Sequence, residues 1–165
     1  MPLPEDIGSF EVVRVEPGRA IVWNDEKFIE VVDGLASELE RPTDVSISSL
    51  AWSPELGLVI GDGFGSVWVD DRAGEWRVLG SDNTRYWTPI VRSVPGGVLF
   101  QTGGGGPIRA LDIESGLCPD GPALPGAPLA LEPFGDGFLA VPRGFRTGTP
   151  RSSALLTVEP HCSDS

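Results

Sequence analysis

SLAWSPELGLVIGDGFGSVWVDD, residues 49–71, decides the fold. It reads as three short strands and two turns. SLAWS ends at Pro54, GLVIG runs into the glycine-rich turn Gly61-Asp62-Gly63-Phe64-Gly65, and SVWVD closes the unit. Val, Ile, Leu and Trp favour extended backbone, while Gly, Pro and Asp favour the turns between such runs. A proline at a strand end removes no hydrogen bond from a ladder, so Pro54 punctuates without disrupting.

The same grammar recurs on either side. FEVVRVEPGRAIVW from Phe10, PIVRSVPGGVLFQTG from Pro89 and PLALEPFGDGFLAVP from Pro128 each place a proline and a glycine between two apolar runs. The marking prolines are Pro17, Pro54, Pro95 and Pro133, spaced by 37, 41 and 38 residues. A third run follows each time: KFIEVVDG, SVWVDDRAG, PIRALDIESG and SSALLTVEP. Asp33, Asp70 and Asp112 close this run 16, 16 and 17 residues after the proline. Thr157 holds the place in the fourth unit, 24 residues on, with an insertion in PRGFRTGTPRS. Units of about 40 residues with three or four short strands predict an all-β chain of four propeller-blade-like antiparallel sheets, a four-bladed or partial β-propeller. The expected units are 9–45, 46–83, 84–126 and 127–165 of one domain. The best helical window, LASELERP at 35–42, is too short to stand alone.

Residues 49–71 resemble a WD-repeat blade, with AWSP, a turn and GSVWVDD in order, and PIRALDIESGL resembles a quinoprotein-type repeat. Val69-Asp70 and Leu111-Asp112 stand where a WD repeat has its Trp-Asp pair, and the Gly-His pair is absent. The resemblance implies a propeller scaffold over roughly residues 10–160 and no hydrogen-bonded tetrad of the WD type. Four blades are few for such a ring. A closed four-blade monomer, a ring completed by a second copy or another chain, and a piece of a longer chain are the three open arrangements.

The 165 residues include 24 acids and 12 bases, a net charge of −12. Phosphate-binding surfaces carry the opposite sign, so nucleic acid is not an expected partner. No run of about 18 apolar residues occurs, so no membrane-spanning helix is expected. Residues 1–83 hold 17 acids and 6 bases, whereas residues 84–165 hold 7 and 6. Acidic residues ordinarily solvate a surface; the alternative is that this asymmetry steers a basic partner toward the first half. MPLPEDIGSF lacks the basic and apolar regions of a secretory leader, which points to a cytoplasmic protein with Cys118 and Cys162 as free thiols. The alternative is export after removal of a leader, with the two cysteines paired.

No motif commits the chain to catalysis, a metal or a cofactor, and none is assigned. Gly103 through Gly106 lack the Lys-Ser/Thr of a phosphate loop and read as a hairpin turn. His161, the single histidine, has one neighbouring ligand type in Cys162 and no further ligand spacing. Asp62, Asp70, Asp71 and Asp82 miss calcium-loop spacing, and aspartates at strand ends ordinarily cap turns. Trp23, Trp52, Trp68 and Trp76 fall in strands and read as core. Two loop clusters have the composition of interface hot spots: Arg85-Tyr86-Trp87, and Arg143, Phe145 and Arg146 in the fourth-unit insertion.

Three functional expectations follow. The first is a non-enzymatic module that binds a protein partner through those loops. The second is a ligand-binding or hydrolase-type enzyme using Asp62 or Asp70 at the ring centre. The third is a half-propeller subunit that completes its ring by association, with a second copy of itself as one partner.

Overall fold

The computed structural model describes residues 11–24, 27–42, 44–70, 75–81, 90–94, 97–101, 108–118, 129–134, 137–142, 154–156 and 162. Every regular element among them is a strand, and the strands form four separate antiparallel sheets. The all-β expectation is met. The window at 35–42 is not helical: Leu35–Glu38 is an edge strand.

Each sheet is a meander in chain order. Sheet 1 contains β1 (Glu11–Glu16), β2 (Arg19–Trp23), β3 (Phe28–Val32) and β4 (Leu35–Glu38). Sheet 2 contains β5 (Ile47–Ser53), β6 (Gly57–Asp62), β7 (Ser66–Asp70) and β8 (Trp76–Ser81). Sheet 3 contains β9 (Ile90–Val94), β10 (Gly97–Gln101), β11 (Ile108–Asp112) and β12 (Gly116–Leu117). Sheet 4 contains β13 (Leu129–Phe134), β14 (Gly137–Pro142) and β15 (Ala154–Leu156). No ladder joins one sheet to another among the described residues.

Turn chemistry explains the hairpins. Asp33 and Gly34, both with positive φ (48° and 82°), link Val32 to the facing Leu35. Two consecutive left-handed residues make the turn whose twist suits a tight hairpin, and Asp-Gly is a favoured pair for it. Asp112 accepts the amides of Glu114 and Ser115 at 2.9 and 2.7 Å, and Gly116 (φ 79°) completes that turn. Two of the three aspartates that mark the repeat thus form turns.

Sheets 1 to 3 stack face to face. One core lies between sheets 1 and 2, where Ile21, Trp23 and Phe28 meet Leu50, Leu58 and Ile60. A second lies between sheets 2 and 3, where Val59, Val67 and Val69 meet Val91, Val98 and Phe100. Sheet 2 is therefore covered on both faces, and every residue of β6 is buried. Double burial is why GLVIG is a continuous apolar run without polar alternation. The first strands sit side by side, β5 running beside both β1 and β9. At that junction the Val91 amide donates to Ser49 Oγ (2.9 Å) and the Trp52 amide to Ser93 Oγ (2.7 Å). At the outer margin β8 approaches β12 so closely that a Cβ on Gly116 would lie 2.6 Å from the Leu79 carbonyl oxygen.

Cys118, just after β12, is bonded to Cys162, correcting the expectation of free thiols. The bridge closes a separation of 44 residues that includes sheet 4. In the chain-entropy account a loop of that size stabilises the fold by about 4 kcal/mol. Alkylation of the unfolded protein should therefore modify no cysteine before reduction and two after it, by mass spectrometry. Reduction should lower the unfolding free energy by about 2–4 kcal/mol.

Candidate functional site

The sequence singled out Asp62 and Asp70 as carboxylates for a shared substrate pocket. Asp62 ends β6 beside the start of β7 and Asp70 ends β7, so four residue steps hold them about 13 Å apart along the strand at 3.3 Å per residue. Asp62 is 3% exposed and fully engaged. Its Oδ1 accepts the amides of Phe64 and Ser66, each at 2.8 Å, and its Oδ2 accepts the Trp68 indole Nε1–H at 2.8 Å. This carboxylate holds the β6–β7 turn and orients Trp68 against the first core. It is a structural acid.

Asp70 has a different setting. It lines a cleft of about 460 Å³ with Glu16, Arg19, Trp52, Pro54, Gly57 and Leu58. The cleft lies where the β1–β2 and β5–β6 hairpins come together, the two turns marked by Pro17 and Pro54. Trp52 and Leu58 belong to the face of sheet 2 that packs on sheet 1. Arg19 is the one cation among the described residues that line it, and its Nε donates to Glu30 Oε1 at 2.6 Å while Nη1 lies 3.6 Å from Glu16 Oε1. Two carboxylates offset that guanidinium, so the lining stays acidic overall. Glu16 keeps 54% of its side chain exposed and is open to a further cation.

The other sequence candidates divide plainly. Trp23, Trp68 and Trp76 join the first core, as expected. The Trp76 indole donates to the Glu40 carbonyl (3.0 Å), and its ring lies 6.1 Å from that of Phe28. Arg85, Tyr86, Trp87, Arg143, Phe145 and Arg146 lie outside the described residues, as do Asp71, Asp82, Gly103 through Gly106 and His161. Among the described residues no group of three or more His, Cys, Asp or Glu is placed to hold a metal ion. Sequence reasoning missed Glu16 and Arg19. Their signal was the proline register itself, because stacked sheets bring successive Pro-marked hairpins together. It also missed Phe64, 67% exposed at the tip of the turn that Asp62 holds.

No protein-family model, curated protein or solved structure matches this chain.

Two tryptophans give a contrast that checks the assignment of Asp62. The Trp68 indole N–H is bonded to a buried carboxylate, whereas the buried Trp23 Nε1 has no hydrogen-bond partner. Trp68→Phe strands a buried acceptor and should cost about 2–3 kcal/mol. Trp23→Phe loses ring volume but no hydrogen bond and should cost about 1 kcal/mol or less. Urea unfolding of the two variants measures the difference.

Proposed function

We propose that this chain is a non-enzymatic protein-interaction module on a β-propeller-type scaffold, and that the cleft between its first two sheets takes a basic side chain of a protein partner. Four-stranded meanders stacked with their first strands side by side support the scaffold reading, because propeller blades pack in this way. The resemblance of residues 49–71 to a WD-repeat blade points in the same direction.

The observation that carries the functional reading is the company Trp52 keeps. An indole shares one cleft with Glu16 and Asp70, while the lining arginine is already offset by Glu30 and Glu16. An aromatic wall with carboxylates recognises a Lys or Arg side chain by cation–π attraction and by charge. The long-range field acts in the same sense, since residues 1–83 hold 17 acids against 6 bases. Arg85-Tyr86-Trp87 and Arg143, Phe145 and Arg146, which lie outside the described residues, support an interaction role by their composition. The hydrolase-type reading needs Asp62 and Asp70 in one pocket. They are at opposite ends of β7, and it is not carried further.

Titration with a capped Arg-Gly repeat peptide, followed by Trp fluorescence, tests the cleft. Binding should weaken about fivefold, on the order of 1 kcal/mol, in the double variant Glu16→Gln, Asp70→Asn. It should also weaken with added salt. Equal affinity for the double variant, or for a Glu-Gly repeat peptide, would exclude this role for the cleft.

A further inference from the structure

We infer that the outer face of sheet 1 is a socket for the fourth sheet of a second copy of this chain, so that two copies close one ring head to tail. The inference rests on the propeller reading of the scaffold and is independent of what the cleft binds.

Hairpin register puts the first three sheets in correspondence. The pairs that end the first hairpins are Glu16 with Arg19, Ser53 with Gly57, and Val94 with Gly97. Counting three paired rungs inward from each gives Val12 with Val22, Leu50 with Ile60, and Val91 with Phe100. These are equivalent positions in three sheets. In sheet 2, Leu50 and Ile60 pack on the preceding sheet. In sheet 3, Val91 and Phe100 do the same. All four are 0–4% exposed. In sheet 1 the equivalent face has no preceding sheet, and Val12 is 65% exposed. Val22 beside it is half-buried, as are Ala20, Val31 and Ala36 on the same face, and Ile29 is buried at its centre. Arg14 pairs with Ala20 and Glu38 with Ile29, so the face is apolar apart from one charged position of each sign, and at Val12 it stands open.

Sheet 3 is different. Leu99 (paired with Ala110) and Ile108 (paired with Gln101) lie on the side turned away from sheet 2 and are 0% exposed. The stack is covered at that end and open at sheet 1.

Charge selects the occupant. Residues 1–45 hold 11 acids and 4 bases, a net of −7, and residues 127–165 hold 4 acids and 3 bases, a net of −1. Two first sheets brought face to face would oppose two units of −7. A first sheet against a fourth opposes −7 with −1, which is far less repulsive. The first-to-fourth contact occurs twice about a two-fold axis, so two copies close the ring. The resulting eight sheets fall within the usual four to eight blades of a propeller.

Light scattering of the full chain at micromolar concentration should give twice the 17.5 kDa chain mass. Val12→Glu should return it to a single chain mass. Val12 is exposed within one chain, so this variant should keep the wild-type circular dichroism and remain able to bind the Arg-Gly peptide. Hydrogen exchange should show dimer-dependent protection in residues 12–22 and in 129–142. A wild-type chain that is monomeric, a dimer that survives Val12→Glu, or protection confined to residues 12–22 would each overturn the inference. Loss of peptide binding alone would count only against the proposed cleft.

Discussion

A sheet that is apolar on both faces cannot stand alone, and the described structure depends on that constraint. β6 and β10 bury every residue. At roughly 25 cal/mol for each Å² of apolar surface removed from water, one neighbouring sheet leaves half of that gain unrealised. The chain answers by stacking meanders, each covering the next. Among the described residues the backbone ladders stay within sheets, so cohesion between them comes from the two side-chain cores and from side-chain bonds such as those of Ser49 and Ser93. Any such stack has two ends.

The polar groups fit within this constraint. Asp62 spends its carboxylate on a turn and an indole because a buried acid is tolerated only when its oxygens are engaged. Asp33 and Asp112 make turns at strand ends. Asp70 instead reaches the cleft between two sheets, where Trp52 is half-buried and Glu16 is exposed. The proposed recognition cleft thus falls at a seam between sheets, where two Pro-marked hairpins set an aromatic and acids side by side above packed sheets.

Much of this was legible in the residues. Proline spacing and apolar runs place the strands of residues 11–112 closely, because turn residues and β-branched side chains act locally. What was not legible depended on bulges and loop lengths. Val13 and Leu50 each lie four residues before their proline, yet they face opposite ways relative to chain order. Val13 points at sheet 2, and Leu50 points back at sheet 1. The first hairpin turns in two residues and carries a bulge between Arg14 and Glu16, while the second turns in three. Such one-residue differences invert a face. The cleft was hidden for the same reason, since Glu16 and Arg19 meet Trp52 and Asp70 only through the stacking of two sheets. The disulfide was open in sequence because two cysteines carry no framework and their approach is a long-range fact.

Native-state hydrogen exchange tests the stacking account most directly. Cooperative burial between sheets predicts that the amides of β6 and β10 exchange slowest and with a common opening free energy, equal to that of global unfolding. If the amides of β6 and β10 instead open independently, with separate free energies well below the global value, the sheets are not one packed unit and the account is contradicted.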